Sequence, residues 1–590
     1  MNYAIERWSL DELFPAIDAP EVQQALDRVE ELTTEIEAYR PRLSADIEEA
    51  TFLELLSLSE KLVRLLSRVV GYGSLRFSED TQDQQVQAFL AKVQQLSAET
   101  DNRTMFFKLW WKALADETAE RLMAGSGDYR YWLETLRRQR PYTLSEPEEK
   151  VINLKDVNGP LALVNLYDSI TNRYTFRLRV DGEVKELTRG ELQIYMRDPD
   201  PALREAAYKE LLGVFGVDAP ILGQIYQYRT RDWHSEQIAL RSYASPIAVR
   251  NLANDLPEAI VKALLEVSEA NAAVFQDYFR LKARWLGMER IRRYDIYAPV
   301  VKADREFPFS EAAELVLDSF AAFEPRVANL ARKVFDERHL DSEVRKGKRS
   351  GAFCATISPD LTPWVLTSYQ GRADDVATLA HELGHAIHSL LADHHTALTQ
   401  DASLPLAETA STFGEMLLID RMLAQDPDPD LRRDLLFRQM DDAYATIMRQ
   451  AFFAIYERSA HERVQEGASV DELSEIYLEN LRRQFGESLD LSDEFRHEWV
   501  AIPHMYHTPF YVYAYAFGQL LVFSLYQQYQ QEGQAFNPRF LEILSAGGSQ
   551  APIRVLSRAG IDVASPAFWQ GGFDLIQRSL EQLRAIPLPA

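Results

Sequence analysis

Residues 381–388 read His381-Glu382-Leu383-Gly384-His385-Ala386-Ile387-His388. On an α-helix, residues four apart share one face, so His381 and His385 can offer two imidazole nitrogens to one tetrahedral Zn²⁺. Glu382, beside the first histidine, is placed to take a proton from water at that ion. The chemistry such a trio supports is hydrolysis by a metal-activated water. Histidine is scarce, 11 in 590 residues, so this spacing is an uncommon coincidence. The plainer reading is a helix with two buried, hydrogen-bonded histidines. His388 falls on the same face, yet three imidazoles on one rigid helix cannot converge on one ion. It lines the cleft or supports a ligand.

The elements around this trio must position it. Asp374 and Asp375 suit the first turn of a helix, and Val376, Leu379, Leu383, Ile387 and Leu390 recur at helical spacing. A catalytic zinc needs a third protein ligand. Residues 405–419 read as a helix beginning near Pro405, with Glu408 and Glu415 seven apart on one face, and either could serve. His394 and His395 follow the first helix too closely and read as part of its C-terminal cap. Upstream, residues 352–357 and 364–369 read as two short strands whose free edge could hydrogen-bond an extended peptide. Gly347-Lys348-Arg349 is no phosphate loop, because Arg349 stands where Ser or Thr is required. Downstream, Thr508 and Pro509 read as the start of a helix presenting Tyr511, Tyr515 and Gly518 on one face, after a loop carrying His504 and His507. Histidine and tyrosine there can donate to an oxyanion.

Helical periodicity dominates the rest. Residues 22–39, 51–72, 80–99 and 102–124 read as helices, broken by Arg40-Pro41, Gly71-Tyr72-Gly73 and Gly125-Ser126-Gly127. Residues 174–187 alternate about Asp181-Gly182 as a β-hairpin. Asp198-Pro199-Asp200-Pro201 marks a joint before a helix over 202–234, and places a domain boundary near residue 200. The expected organisation is an N-terminal helical domain over 1–200 and a catalytic domain over 201–590. Residues 293–297 read as a short strand. The net charge of −26, with no basic block, excludes nucleic acid as a partner. The single cysteine, Cys354, excludes an internal disulfide and suits a reducing cytoplasm, and residues 1–12 lack the pattern of an export signal. Residues 509–526 are apolar but carry four tyrosines and Gln519, so they read as a buried helix and no membrane partner is expected.

Taken together, residues 347–354, 378–388, 408–415 and 502–518, with Trp8 to Phe14, resemble the thimet oligopeptidase family of zinc metallopeptidases, and within it the oligoendopeptidase F branch. The resemblance covers nearly the whole chain. It implies a mainly α, multi-helix zincin-type fold with a small β-sheet beside the zinc helix and an enclosed substrate channel. It implies one Zn²⁺ per chain held by His381, His385 and Glu408, with Glu382 as general base. His504 and Tyr515 match the family's oxyanion-stabilising positions best, and His507 and Tyr511 are the neighbouring candidates. The implied activity is cytoplasmic endopeptidase cleavage of short peptides. A zinc carboxypeptidase or dipeptidyl carboxypeptidase of related fold and an inactive zinc-containing peptide-binding protein are the rivals. Oligomeric state is not legible in these residues.

Overall fold

A computed structural model describes residues 3–300, 305–425 and 428–588. Helices dominate, and the strands form small sheets. The chain divides into two compact units. One comprises Met1–Arg140, Arg305–Gln425 and Gln528–Ile561; the other comprises Pro141–Asp304, Asp426–Gln527 and Asp562–Ala590. Residue 200 falls inside the second unit, so a cut there does not coincide with either unit. Compactness follows packing between distant stretches, which a Pro-rich joint does not report.

In the first unit, helix Pro20–Glu37 packs on helix Glu49–Glu79 and on helix Gln84–Ala113. The second of these runs straight through Gly71 and Gly73, which are not breakers. A Cβ on Gly71 would stand 2.5 Å from Ile357 Cδ1, so this glycine makes room for a neighbour. The third begins at Gln84, where Asp83 caps the N–H groups of Gln85 and Val86, and it passes residues 99–102 without a break. The unit's sheet orders Leu340–Asp341, Trp364–Leu366 and Phe353–Ala355, with the last strand antiparallel and at the edge. Trp364, Val365 and Leu366 are fully buried, and the N-terminal segment seals them: Trp8, Leu10, Leu13 and Phe14 join the same core, and Trp364 Nε1 donates to the Ser9 carbonyl. Lys348 is spent on structure. Its ammonium reaches buried Asp341 at 2.7 Å and the Glu343 carbonyl at 2.8 Å, tethering the loop that leads into the edge strand.

Helix Ala373–Leu391 carries the histidine pair. Asp375 Oδ2 accepts the Gln370 and Arg372 N–H groups at 2.9 Å each, tying down the start of the helix as its acidic first turn predicts. The segment over 405–419 is not one helix. A short turn, Leu404–Ala407, ends at Glu408, and helix Thr409–Gln425 follows. His394 and His395 do not cap the first helix; Ala392 does, while His395 Nδ1 lies 2.8 Å from Asp128 and its Nε2 3.0 Å from the Ser545 carbonyl.

In the second unit the hairpin appears as Phe176–Val180 paired with Glu183–Leu187. Helix Pro201–Trp233 is anchored by the buried Arg204–Asp295 pair. Residues 293–295 form a 3₁₀ turn rather than a strand; only Ile291–Arg292 pairs, in parallel with Leu489–Asp490, because Arg293, Tyr294 and Asp295 are turned inward to ion-pair and pack. The apolar helix runs over Tyr513–Glu532 and starts later than expected: Thr508 ends a short helix, Pro503–His507, instead of capping the next. It is buried through Leu520–Tyr526, and no helix among the described residues is long and apolar enough to cross a membrane.

One close approach governs the first unit. A Cβ on Gly384 would stand 2.5 Å from Ser411 Cα and 2.7 Å from the Ala410 carbonyl. Backbone cannot step aside as a side-chain tip can, so Gly384→Ala should force helices Ala373–Leu391 and Thr409–Gln425 apart. A loss of roughly 1–3 kcal/mol, the usual cost of overpacking, is expected in denaturant unfolding, together with reduced bound metal. Wild-type stability and metal content in that variant would show that the contact does not set the spacing of the two helices.

Candidate active site

The first unit brings three expected residues together. His385 Nε2 lies 3.2 Å from His381 Nε2, and Glu408 Oε2 lies 3.3 Å from the first-named ring's partner and 3.4 Å from His385 itself. The three donors thus form a nearly equilateral triangle. Ligands ~2.0–2.1 Å from a tetrahedral Zn²⁺ stand ~3.3–3.4 Å apart, so the donor set fits such an ion. A second trio, Glu12, Glu337 and His339, also comes within 4.8 Å, but its acids are exposed and His339 is stacked on Trp364.

Glu415 does not join the triangle. It bonds His381 at Nδ1, on the far side of the ring. That contact holds the proton on Nδ1 and leaves Nε2 free to ligate. Burial acts to lower the His381 pKa, but Glu408 and Glu415 outweigh it and push it up to about 10. Burial likewise acts to raise the Glu408 carboxyl, yet both imidazoles hold it well below the ordinary range. The site is built to attract positive charge. Ser411 Oγ donates to Glu408 Oε2 at 2.8 Å, and the break in the helix at Glu408 is what turns that carboxylate toward the histidines.

Glu382 is buried, and burial pushes its carboxyl up. It lines a cavity of about 440 Å³ with His381, His385, Glu408, His388 and edge-strand residues Phe353 and Cys354. His388 is where a cleft-lining residue belongs. Burial lowers it to about 4, so it is neutral, and it bonds the Ala407 carbonyl just before Glu408. Burial pushes the Cys354 thiol well up, so the one cysteine in the cavity is no nucleophile.

The second unit assembles His504, Tyr511 and Tyr515. Tyr515 Oη lies 3.4 Å from His504 Nε2, and the two tyrosine rings meet edge to face at 5.2 Å. Burial lowers His504, keeping it neutral near pH 7. His507 turns elsewhere: its Nε2 lies 2.8 Å from Asp168 Oδ1.

Residues 194–575 match Peptidase family M3, and residues 110–176 match Oligopeptidase F. The chain belongs to peptidase family M3. It is a metallopeptidase of mainly helical fold. It is 25% identical over 595 residues to Oligopeptidase PepF of Bacillus subtilis, spanning 99% of this chain and 87% of that one. It is 27% identical over 551 residues to the chromosomal Oligoendopeptidase F of Lactococcus lactis subsp. cremoris, spanning 90% and 89%. A crystal structure from Chlamydophila abortus superposes with a TM-score of 0.88 at 23% identity, covering 98% of this chain and 97% of that one.

In this M3 chain Glu457 supports the segment before Tyr511, a role that no sequence motif marks. Its side chain is fully buried, and Oε1 accepts the Phe510 N–H at 3.0 Å. Phe510 has φ of 60°, a left-handed conformation that costs a bulky residue roughly 1–2 kcal/mol. Glu457 therefore helps hold the turn immediately before Tyr511. A lone glutamate on an apolar helix face carries no sequence signal for such a bond.

Two outcomes follow. Glu408→Ala should weaken metal binding far more than Glu415→Ala, which should cost about 10–100-fold as ligand-supporting contacts do. Metal titration showing the reverse order would exchange their roles. The Glu457 carboxyl is pushed up to about 8 by burial, against the opposing Phe510 N–H and Arg250. The folded chain thus keeps a proton that the unfolded chain releases near ~4.3. The stabilisation is complete below that value and is lost as pH rises through about 8. Glu457→Gln, neutral throughout, should gain Tm relative to wild type as pH rises across that window; parallel Tm profiles would remove the buried charge as the cause.

Proposed function

We propose that the chain is a zinc-dependent endopeptidase acting on short oligopeptides, with His381, His385 and Glu408 holding the metal and Glu382 as general base. The observation that supports it most is the equilateral donor triangle facing a cavity that Glu382 also lines. Zinc bound there would polarise a peptide carbonyl and lower the pKa of a coordinated water toward ~7. Glu382 accepts a proton on its carboxylate and returns it to the leaving amine. The edge strand Phe353–Ala355 supplies main-chain groups against which an extended peptide can lie beside Glu382. His504 and Tyr515 are assigned as donors to the oxyanion, by family resemblance and by their mutual contact within the second unit. Tyr511 packs against Tyr515 and orients it, and the Asp168 contact leaves His507 without a proposed step. The names of the Bacillus and Lactococcus relatives, an oligopeptidase and an oligoendopeptidase, support short peptides and internal cuts. A lone cysteine fits a cytoplasmic setting.

Digestion of a mixed peptide pool, read by mass spectrometry with and without chelator, tests the assignment. Internal cuts that vanish with chelator are expected; release of C-terminal residues or dipeptides alone would make it a carboxypeptidase. Glu382→Gln should keep its metal and lose nearly all turnover, and wild-type turnover in it would sink the assigned base.

Tyr515→Phe keeps the ring and removes only the donor. Turnover should fall by roughly 10²–10³ with metal content unchanged. If Tyr511→Phe collapses turnover instead, the donor lies one helical turn earlier.

A further inference from the structure

The second unit holds a cavity of about 520 Å³ that the proposed chemistry does not use. That volume lies within the roughly 300–1,000 Å³ of small-ligand sites. Its charged lining is lopsided. Arg189, Arg197 and Arg449 face it, and Glu498 is the one carboxylate among its lining residues. Glu498 is already engaged, accepting from Arg293 at 2.8 Å, Arg449 at 3.1 Å and the Tyr477 hydroxyl at 2.9 Å. Arg189 donates to the Ala501 carbonyl at 2.8 Å and lies over the Phe215 ring, while Arg197 lies over the Tyr297 ring. Neither guanidinium pairs with a carboxylate among the described residues, in a chain of net charge −26 where acids are abundant. Burial pushes Arg189 down, and the like charge of Arg449 adds to that push. The Tyr297 hydroxyl and Arg449 Nε are enclosed without a hydrogen-bond partner among the described residues. Apolar side chains, among them Ile194, Leu211, Leu212 and Ile502, form the remaining wall.

We infer that this cavity binds the C-terminal carboxylate of a peptide, with Arg189 and Arg197 as the recognising cations. The inference rests on the peptidase reading for its choice of ligand. A lone phosphate would leave most of the volume and all of the apolar wall unused, whereas a terminal residue or two brings one anion and hydrophobic side chains together. A guanidinium's fork of N–H donors suits a carboxylate's two oxygens. The cavity is also continuous in sequence with the proposed oxyanion donors: Ala501 and Ile502 line it, and helix Pro503–His507 follows directly.

The test reads binding rather than turnover, so it can fail separately from the peptidase reading. Full-length, metal-loaded Glu382→Gln protein, which should not consume its ligand, is titrated calorimetrically with an N-acetylated pentapeptide as free acid and as carboxamide. The acid should bind at least about tenfold tighter, as charge-assisted bonds warrant. Adding Arg189→Gln and Arg197→Gln should shrink that ratio below about twofold and leave carboxamide affinity and metal content unchanged. Arg197→Gln alone, at an exposed position without the Ala501 bond, should lose part of the ratio while keeping the parent Tm. Equal affinity for acid and amide overturns the proposal, as does a ratio that survives both substitutions. A carboxamide ending in Glu that binds as tightly as the acid would show recognition of a side chain instead. Arginine-dependent binding of inorganic phosphate, without acid preference, would show a small-anion site and likewise overturn it.

Discussion

Helices Ala373–Leu391 and Thr409–Gln425 touch backbone to backbone at Gly384, and the cluster of His381, His385 and Glu408 depends on that contact. A side chain there would hold the second helix away by an ångström or more. The helix spacing, in turn, decides whether Glu415 reaches Nδ1 of His381 and whether Glu408 meets the two Nε2 atoms. A glycine between the acid and the second histidine therefore does structural work in a stretch otherwise read for chemistry. The break at Glu408 is the complementary device. Within one continuous helix, Glu408 and Glu415 would point the same way; ending one helix at Glu408 and starting another lets one acid face the Nε2 atoms and the other grip Nδ1.

Electrostatics at the cluster follow from that geometry. Glu408 and Glu415 face His381 in a partly enclosed cavity, so that imidazole is drawn toward its charged form and Glu408 is held ionised. A divalent ion satisfies the same field without protons. Glu382 is treated differently although it is adjacent in sequence. It is buried, burial pushes its carboxyl up, and that shift suits the general-base role proposed for it. Neighbouring residues thus take opposite roles because one faces the carboxylates and the other faces the cavity.

The second unit uses buried charge to hold shape. Lys282 with Asp441, Arg204 with Asp295 and Arg293 with Glu498 are pairs enclosed between helices, and Glu457 holds a left-handed turn through one backbone N–H. Each fixes an element whose sequence alone is noncommittal. Against that background, Arg189 and Arg197 beside the 520 Å³ cavity form no ion pair with a carboxylate among the described residues.

Much was legible in the residues. The four-residue spacing of His381 and His385 sets their common face on any helix, and the hairpin about Asp181-Gly182 follows from local turn chemistry, so both appear where expected. The helical character of the chain was equally plain, because apolar periodicity is a local property. The choice between Glu408 and Glu415 was not local: seven residues apart, they are equivalent on an ideal helix, and only the break at Glu408 separates them. Gly71 read as a breaker because glycine weakens isolated helices, whereas Ile357, nearly three hundred residues away, requires its missing side chain. The division of the chain, the engagement of His507 by Asp168 and the bond from Phe510 to Glu457 all join residues distant in sequence. Periodicity and spacing report which face of an element a residue occupies. What that face meets is decided by tertiary packing, and packing decides whether a histidine joins the Glu408 cluster or becomes an ordinary ion-pair partner.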